Sequence, residues 1–328
     1  MRPSGARSAT VGGVDLLADI LAVSGVRGTR PARIEAAGRW GVRWEHDPLA
    51  VVYAVVSGAL WLAVPDREIR RVGAGDVVLL PVGIEHSLSS GPNAPLVPCD
   101  PAEAVEASRT GRPLRFGADG DPDTVVLAAA YRHDPAVRTQ ILPLLPDMVH
   151  ARADRTDATV GHAVRLLGHE LAERRMASSV AVDRIVDLLL VHLLRVAFDG
   201  RDASSTPSLL DALDDALVVS ALEHLHADPA RPWTIDTLAD CLSVSRTTLT
   251  RRFTAAVGEP VGTYLSRWRM DLASVRLRDS DDTVEAIAHG TGYGSVQAFS
   301  RAFSRSRSAP PARYRQAARA DPPIGSRG

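Results

Sequence analysis

Two seven-residue segments carry polar side chains of matching type and spacing. Segment 245–251 reads SRTTLTR and segment 295–301 reads SVQAFSR. Arginine can bond guanine through two donors, glutamine can pair with adenine, and apolar atoms can contact the thymine methyl group. The segments therefore predict contacts with double-stranded DNA by Ser245, Arg246, Thr247, Thr248, Thr250, Arg251, Ser295, Val296, Gln297, Ser300 and Arg301.

Each segment belongs to a longer repeat. The first copy runs from Leu238 to Phe253 and the second from Ile287 to Phe303. Corresponding residues lie 49 positions apart at first and 50 positions apart after a one-residue insertion in the second copy. In both copies, the apolar spacing predicts a short helix, a turn, a serine N-cap and a second helix with a polar outer face. A helical hairpin with a merely solvated face is the alternative for either copy alone. Two copies with arginine at matched positions favour a duplicated helix-turn-helix.

The segment 261–278 between the copies predicts one long helix that begins after Pro260. At ~1.5 Å per residue it spans roughly 25 Å. Such a helix could hold two recognition helices about one DNA turn, ~34 Å, apart on one face of the duplex.

The segment from about Trp233 to Arg315 resembles the DNA-binding domain of the AraC/XylS family of bacterial transcription regulators. The resemblance implies sequence-specific DNA binding, with RNA polymerase as a further candidate partner. It rests on Leu238-Ala239, Ser245-Arg246, Leu249, Arg251-Arg252-Phe253, Pro260, Tyr264-Leu265, Trp268-Arg269-Met270, Ile287-Ala288, Gly292-Tyr293, Ala298 to Phe303, Pro311 and Tyr314-Arg315. The chain departs from the family at Ser243, where relatives carry glycine, and at Arg307-Ser308, where they carry an aromatic residue and glycine.

The distribution of charge fits this interpretation. Residues 231–328 hold 15 arginines against 9 acidic residues, whereas residues 1–230 hold 23 against 30. The chain contains no lysine. A basic C-terminal part on an acidic body suits a module that contacts phosphates.

The remaining composition predicts a cytoplasmic globular protein of at least two domains. The N-terminus lacks an apolar core of signal-peptide length, and the longest apolar run is interrupted by charged residues, so no membrane association is expected. Two cysteines cannot form a disulfide framework. Cys241, inside the first repeat, is interpreted as a small core residue.

The N-terminal part predicts a β-rich domain over residues 14–135. Short segments rich in β-branched and aromatic residues, at 33–45, 50–64, 68–72, 77–81 and 124–132, alternate with turn signals and favour a sandwich or barrel. Residues 100–123, rich in proline, glycine and charge without periodicity, are interpreted as a loop.

One motif indicates the kind of barrel. Residues 75–86 have the spacing G-x5-P-x-G-x2-H, which resembles the second cupin motif, and the region resembles the cupin-type sensor domains that are fused to AraC-family modules. A catalytic cupin also needs His-x-His and a carboxylate on earlier strands. The corresponding strand, 51–56, contains no histidine, so neither a bound metal nor any other cofactor is expected.

A barrel mouth is a common place for a small ligand. From residue type and approximate strand phase, an effector is expected to contact Trp40, Trp44, Tyr53, Trp61 and His86. The alternative for His86 is an ordinary hydrogen-bonded core histidine.

The middle of the chain, 136–198, predicts two amphipathic helices at 157–175 and 178–198. Their apolar faces could pack on the barrel of the same chain or form a homodimer, and some role in a dimer is favoured. Residues 199–208 predict a linker. Residues 209–320 would form the DNA-binding domain, whose leading helix is expected over 209–227.

The predicted fold class is therefore α+β, with a cupin-like β-barrel, a helical middle segment and an all-α domain with two helix-turn-helix motifs. The predicted function is transcription regulation through DNA binding, not catalysis, with a small-molecule effector in the cupin-like domain. Whether this would be an activator or a repressor is left open. The alternative is a metal-dependent cupin enzyme with an appended helical domain.

Overall fold

The computed structural model describes residues 19, 23, 27–28, 31–45, 49–81, 83–132, 145–153, 158–173, 177–199 and 215–320. The chain divides into two compact units. The first contains residues 24–202 and 317–328, and the second contains residues 1–23 and 203–316. Of the linker predicted at 199–208, residues 200–208 lie outside the described part of the chain.

The first unit is built on two sheets. Seven strands form the first sheet, in the order β10 (Leu114–Gly117), β2 (Ala32–Ala37), β11 (Thr124–Arg132), β4 (Ala50–Ser57), β7 (Val77–Leu80) and β12 (Val149–Ala151), with β1 (Arg27–Gly28) paired to β11. Five strands form the second, in the order β6 (Arg70–Gly73), β5 (Ala59–Ala63), β8 (His86–Ser89), β3 (Gly41–Trp44) and β9 (Val97–Pro98). Neighbouring strands are antiparallel except β10 with β2 and β3 with β9.

One apolar core lies between the two sheets, because alternate residues of each strand point to the same face. Val55 and Val126 of the first sheet and Leu60 and Leu88 of the second are at most 1% exposed within it. Gly58, at φ +75°, makes the turn from β4 to β5, where a Cβ would lie 2.3 Å from the Asp123 carbonyl oxygen. Hydrogen bonds between the described strands do not close the sheets into a barrel, but the predicted α+β class is confirmed.

The predicted loop at 100–123 is wrong over 101–110, which form a helix, and over 114–117, which form strand β10. Helix α1 (Pro101–Thr110) begins after Asp100, whose side chain accepts a hydrogen bond from the Ala102 amide, and ends at Gly111 at φ +72°. An acidic N-cap, proline at the first helical position and a left-handed glycine are helix boundary signals. The same residue types are also common in loops. A helix of only ten residues shows too little apolar periodicity to distinguish a helix from a loop in the sequence.

The predicted amphipathic helices are α2 (Ala158–Ala172) and α3 (Ser178–Asp199). They pack against each other and against the first sheet, α2 at β4 and α3 at β7 and β12. Their buried residues, such as Leu167 and Leu189, therefore form a second apolar layer on the sheet face opposite the inter-sheet core. Across the described residues, no helix combines the length and apolar character required to cross a membrane.

The second unit is helical. It contains α4 (Ala216–Ala227), α5 (Ile235–Cys241), α6 (Arg246–Val257), α7 (Val261–Asp279), α8 (Val284–Gly290), α9 (Val296–Arg307) and α10 (Pro311–Ala320, whose last residues belong to the first unit). The single helix expected over 209–227 is corrected, since Asp215 is extended and caps α4 through the Leu217 and Val218 amides. Residues 209–214 lie outside the described residues.

Candidate nucleic-acid interface

The two copies of the repeat fold in the same way. Helices α5 and α8 each have seven residues, and α6 and α9 each have twelve. Ser243 (φ +55°) and Gly292 (φ +80°), 49 residues apart, both adopt the left-handed conformation in the turn. In both turns a backbone amide bonds back to the first helix, Val244 to Ala239 at 3.1 Å and Tyr293 to Ala288 at 2.9 Å. This pattern of bonds ends the first helix and sets the direction of the second.

Serine starts each second helix. The Ser245 hydroxyl accepts from the Thr248 amide at 3.1 Å, and the Ser295 hydroxyl accepts from the Ala298 amide at 3.2 Å. These contacts satisfy one amide that the first helical turn leaves without a partner. Amides at the start of a helix are also groups that can bond a phosphate.

Apolar residues one turn apart fix which face of each second helix points outward. Leu249 and Phe253 in α6, and Phe299 and Phe303 in α9, are fully buried. The opposite face carries the predicted contact residues. The exposed residues of this set are Ser245, Arg246, Thr247, Thr250, Arg251, Gln297 and Arg301, and the partly buried ones are Thr248, Ser295, Val296 and Ser300.

The arginines of the second unit fall into two groups. Several are held by internal partners: Arg252 pairs with Asp215 at 2.8 Å, Arg276 with Asp282 at 2.7 Å, and Arg269 bonds the Pro229 carbonyl at 2.7 Å. By contrast, Arg251 and Arg301 are exposed, and neither has an internal hydrogen bond or ion pair to a described residue.

Arg246 is intermediate between these groups. Its guanidinium lies 3.5 Å from the Asp236 carboxylate, and both side chains are more than 60% exposed. An exposed pair of this kind contributes little to stability. Its arginine could therefore exchange the carboxylate for a phosphate at small cost.

The helix α7 joins the two copies. Its nineteen residues correspond to roughly 28 Å at ~1.5 Å per residue. It buries Tyr264, Trp268 and Leu277 among the helices of both copies, which makes it the shared core of this unit. Cys241 does not belong to that core: it is exposed at the end of α5, so its interpretation as a core residue is wrong.

In the first unit, three of the five predicted effector residues lie together. The Trp44 and His86 rings stack at 5.3 Å and 7°, and the Tyr53 hydroxyl lies 2.7 Å from His86 Nε2. His86 Nδ1 is 2.8 Å from the Ile84 carbonyl oxygen, so Nδ1 carries a proton, and in the neutral ring Nε2 accepts from Tyr53. Ile84 and Met148 pack against the inter-sheet core that also contains Tyr53. Met148 lies beyond the predicted end of the domain at 135, which is why sequence reasoning missed it.

The other two predicted effector residues are placed differently. Trp40 is 2% exposed in the same core, where its ring contacts Phe116 at 6.4 Å. Trp61 is corrected: its neighbours Leu60 and Leu62 point into the core, so Trp61 lies on the outer face of the second sheet. A strand phase that is wrong by one residue moves a side chain to the other face.

Histidine and carboxylate side chains are the groups that could bind a metal ion. Among the residues that the structure describes, no group of three histidine, cysteine, aspartate or glutamate side chains could hold a metal ion. His46 lies outside the described residues.

Comparison with known proteins extends over most of the chain. Residues 15–199 match the family described as Cupin, and residues 238–317 match the family described as Helix-turn-helix domain. A protein of Streptomyces lividans, named as an AraC-like transcription regulator, is 35% identical over 92% of this chain and 98% of its own length. A protein of Streptomyces antibioticus with the same description is 33% identical over 92% of this chain and 99% of its own. The crystal structure of fatty-acid-bound ToxT from Vibrio cholerae matches 88% of this chain and 94% of its own, at 12% identity and a TM-score of 0.35.

Proposed function

The chain belongs to the AraC-like transcription regulators, with a cupin ligand-binding domain and a helix-turn-helix DNA-binding domain, and we propose that α6 and α9 are its two recognition helices. Each would enter the major groove, in two successive turns of one duplex. The observation that carries this proposal is the pair Arg251 and Arg301, which occupy matched positions, are exposed, and lack internal partners among the described residues.

The individual roles follow from side-chain chemistry. Arg251 and Arg301 would bond guanine, Gln297 adenine, and Val296 the thymine methyl group. Thr247 and Thr250 would contact further base edges. The residues nearest the helix starts, Arg246, Ser245 and Ser295, would contact phosphates. Thr248 and Ser300 would complete the surface that contacts DNA.

Binding to the DNA upstream of the protein's own gene tests the proposal. An electrophoretic shift at ~50 and ~200 mM salt should show a complex that weakens by orders of magnitude with salt, because several phosphate contacts release counterions. An unrelated duplex of equal length serves as the control. A protein that binds neither duplex, or both equally at every salt concentration, would contradict the proposal.

We also propose the site of the effector. Trp44, Tyr53 and His86 offer two stacked rings and a hydroxyl at a core whose other side chains are mostly aliphatic, with Trp40 and Phe116 as further aromatic residues. A small, predominantly apolar molecule fits such a lining, which has few polar groups to orient it. Thermal shift against a panel of neutral aromatic and aliphatic compounds should identify binders whose effect is lost in Trp44→Ala and kept in Trp61→Ala. Equal loss in both variants would place the effector elsewhere.

Association into a homodimer is proposed through α2 and α3. Leu166, Val180 and Leu188 are 51%, 58% and 45% exposed on these helices, outside the layer that packs on the sheet. Sedimentation of the wild type should show a dimer that Leu188→Arg dissociates, whereas Ile69→Arg, at a similarly exposed position on another part of the unit, leaves it intact. A wild type that sediments as a monomer would refute this part.

The remaining assignments complete the proposal. The effector domain would span 14–135, the helical segment 136–198, the linker 199–208 and the DNA-binding domain 209–320. The protein would act in the cytoplasm, with RNA polymerase as a candidate partner, and without enzymatic activity. Stoichiometric iron, manganese or zinc in the purified protein, together with an activity lost on chelation, would instead support the cupin enzyme.

A further inference from the structure

Four charged side chains of alternating sign connect the ends of the two proposed recognition helices. Glu259 follows Gly258, the residue that caps the end of α6, and Arg307 is the last residue of α9. Between them, Arg267 and Asp271 lie one turn apart on α7. We call these four residues the charge relay.

Each neighbour in the charge relay is within ion-pair distance of the next. Arg267 donates to the Glu259 carboxylate at 2.9 and 2.7 Å through Nε and Nη2, and its Nη1 lies 3.9 Å from Asp271 Oδ2. The other oxygen of Asp271, Oδ1, accepts from Arg307 Nη2. The relay thus runs without a gap from the end of α6, along α7, to the end of α9.

Burial increases along the relay. The side chains of Glu259 and Arg267 are 23% and 18% exposed, whereas those of Asp271 and Arg307 are fully buried. The buried end is also well bonded: Arg307 Nε donates to Ser274 Oγ at 2.9 Å, and Nη1 donates to Ser306 Oγ at 2.9 Å. A buried guanidinium with donors in fixed directions tolerates few orientations of the helix that carries it.

The geometry points to a positioning role, and the inference rests on the proposed function. We propose that the charge relay fixes the distance and angle between α6 and α9, and thereby the spacing of the two major-groove half-sites that the protein accepts. Apolar contacts such as those of Phe253 and Phe303 hold the helices together but are not directional. Buried ion pairs are costly to misalign, and selection of one register is the use best attested for them.

The test measures the preference for half-site spacing. The DNA is the segment bound in the electrophoretic assay, together with versions that carry one base pair more or one fewer between the half-sites. One base pair rotates the second half-site by about 34°, since a turn has ~10.5 base pairs. Wild type should lose about tenfold or more in affinity on either change.

Two variants interrupt the charge relay. Arg267→Met removes its middle cation, and the double variant Asp271→Leu, Arg307→Leu replaces the buried pair by apolar side chains without leaving a lone buried charge. Both should bind a single half-site as the wild type does, yet bind the original and altered spacings within about threefold of each other. Arg276→Met is the control: it removes a 2.7 Å ion pair between α7 and Asp282, a residue that follows the helix and lies outside the relay, and it should keep the wild-type preference.

The outcomes separate the two proposals. A wild type without preference for any DNA would refute the proposed function itself. A wild type with a spacing preference that both folded variants keep would overturn the positioning role alone. If circular dichroism shows that the two variants do not fold, Glu259→Gln removes the charge at the exposed end, and an unchanged spacing preference in that variant would also overturn the inference.

Discussion

Replacing Arg301 by alanine should weaken DNA binding without weakening the fold. The side chain is exposed on α9 and makes no hydrogen bond or ion pair with any described residue, so its removal leaves no buried group without a partner. The free energy of unfolding should therefore change by less than ~0.5 kcal/mol. Any larger effect of the substitution has to arise in the complex with DNA.

The size of that effect follows from the proposed contact. A bidentate bond to guanine contributes ~1–3 kcal/mol to discrimination between bases. The Kd for the bound DNA should rise roughly 5- to 150-fold at a fixed salt concentration. The increase should nearly vanish on DNA in which the contacted guanine is already replaced, since the variant then has no contact to lose.

The assay is a titration of labelled DNA by wild type and variant, on the bound segment and on its single-base substitutions. Arg109→Ala is the matched control, because Arg109 is an exposed arginine of the first unit whose ion pair among the described residues is with Glu106 on its own helix. It should leave Kd unchanged. Arg301→Ala with wild-type affinity and wild-type preference at every base pair would refute the reading of α9 as a recognition helix.

Four further predictions concern stability. Ser243→Gly should raise the free energy of unfolding by ~1 kcal/mol, since glycine adopts the φ of +55° at this position without strain. Gly292→Ala should lower the free energy of unfolding, because a Cβ there would lie 2.7 Å from a carbonyl oxygen. Thermal melts of the two variants test both predictions. Burial and the nearby Arg267 lower the pKa of His226 to about 3 in the folded protein. As the pH falls below 6.5, His226 therefore takes up a proton in the unfolded chain but not in the folded one. The free energy of unfolding should fall by roughly 2 kcal/mol between pH 6.5 and 5. Urea titrations at both pH values should show a smaller loss in His226→Phe, and an equal loss would contradict this. Tyr53→Phe removes the hydroxyl beside buried His86 and should lower the free energy of unfolding by ~1–3 kcal/mol in the same titration; an unchanged value would contradict the hydrogen bond.

The duplication made the second unit highly predictable from the sequence. A feature at one position has a counterpart 49 or 50 residues away, so a weak signal in one copy is supported by the other. The family resemblance places glycine at Ser243, and the left-handed conformation of Ser243 in the structure explains that preference. Contacts between distant side chains could not be predicted from the sequence. Nothing in the spacing of Asp271 and Arg307 indicates that these two charges, 36 residues apart, form an ion pair in the core.

The first unit has no such internal check. Whether Trp61 points in or out depends on a strand phase that one residue reverses, and an isolated strand does not determine it. Helix α1 has boundary signals, at Asp100 and Gly111, that also occur in loops. The cluster of Trp44, Tyr53 and His86 was anticipated by residue type, but its geometry depends on the pairing of β3 with β8, which places Trp44 opposite His86.

Because the chain has no lysine, arginines must supply both its structural cations and its DNA-binding cations. Every basic side chain other than histidine in this chain is a guanidinium, so composition alone cannot separate structural from DNA-binding positions. Guanidinium suits both tasks, since its planar donors match a carboxylate inside the protein as well as a guanine or a phosphate outside it. What separates the tasks is whether a partner is already present. Arg307 donates hydrogen bonds to Asp271, Ser274 and Ser306, whereas Arg301, six residues earlier on the same helix, donates none to a described residue. One helix therefore carries both an arginine that can orient it and an arginine that can read DNA.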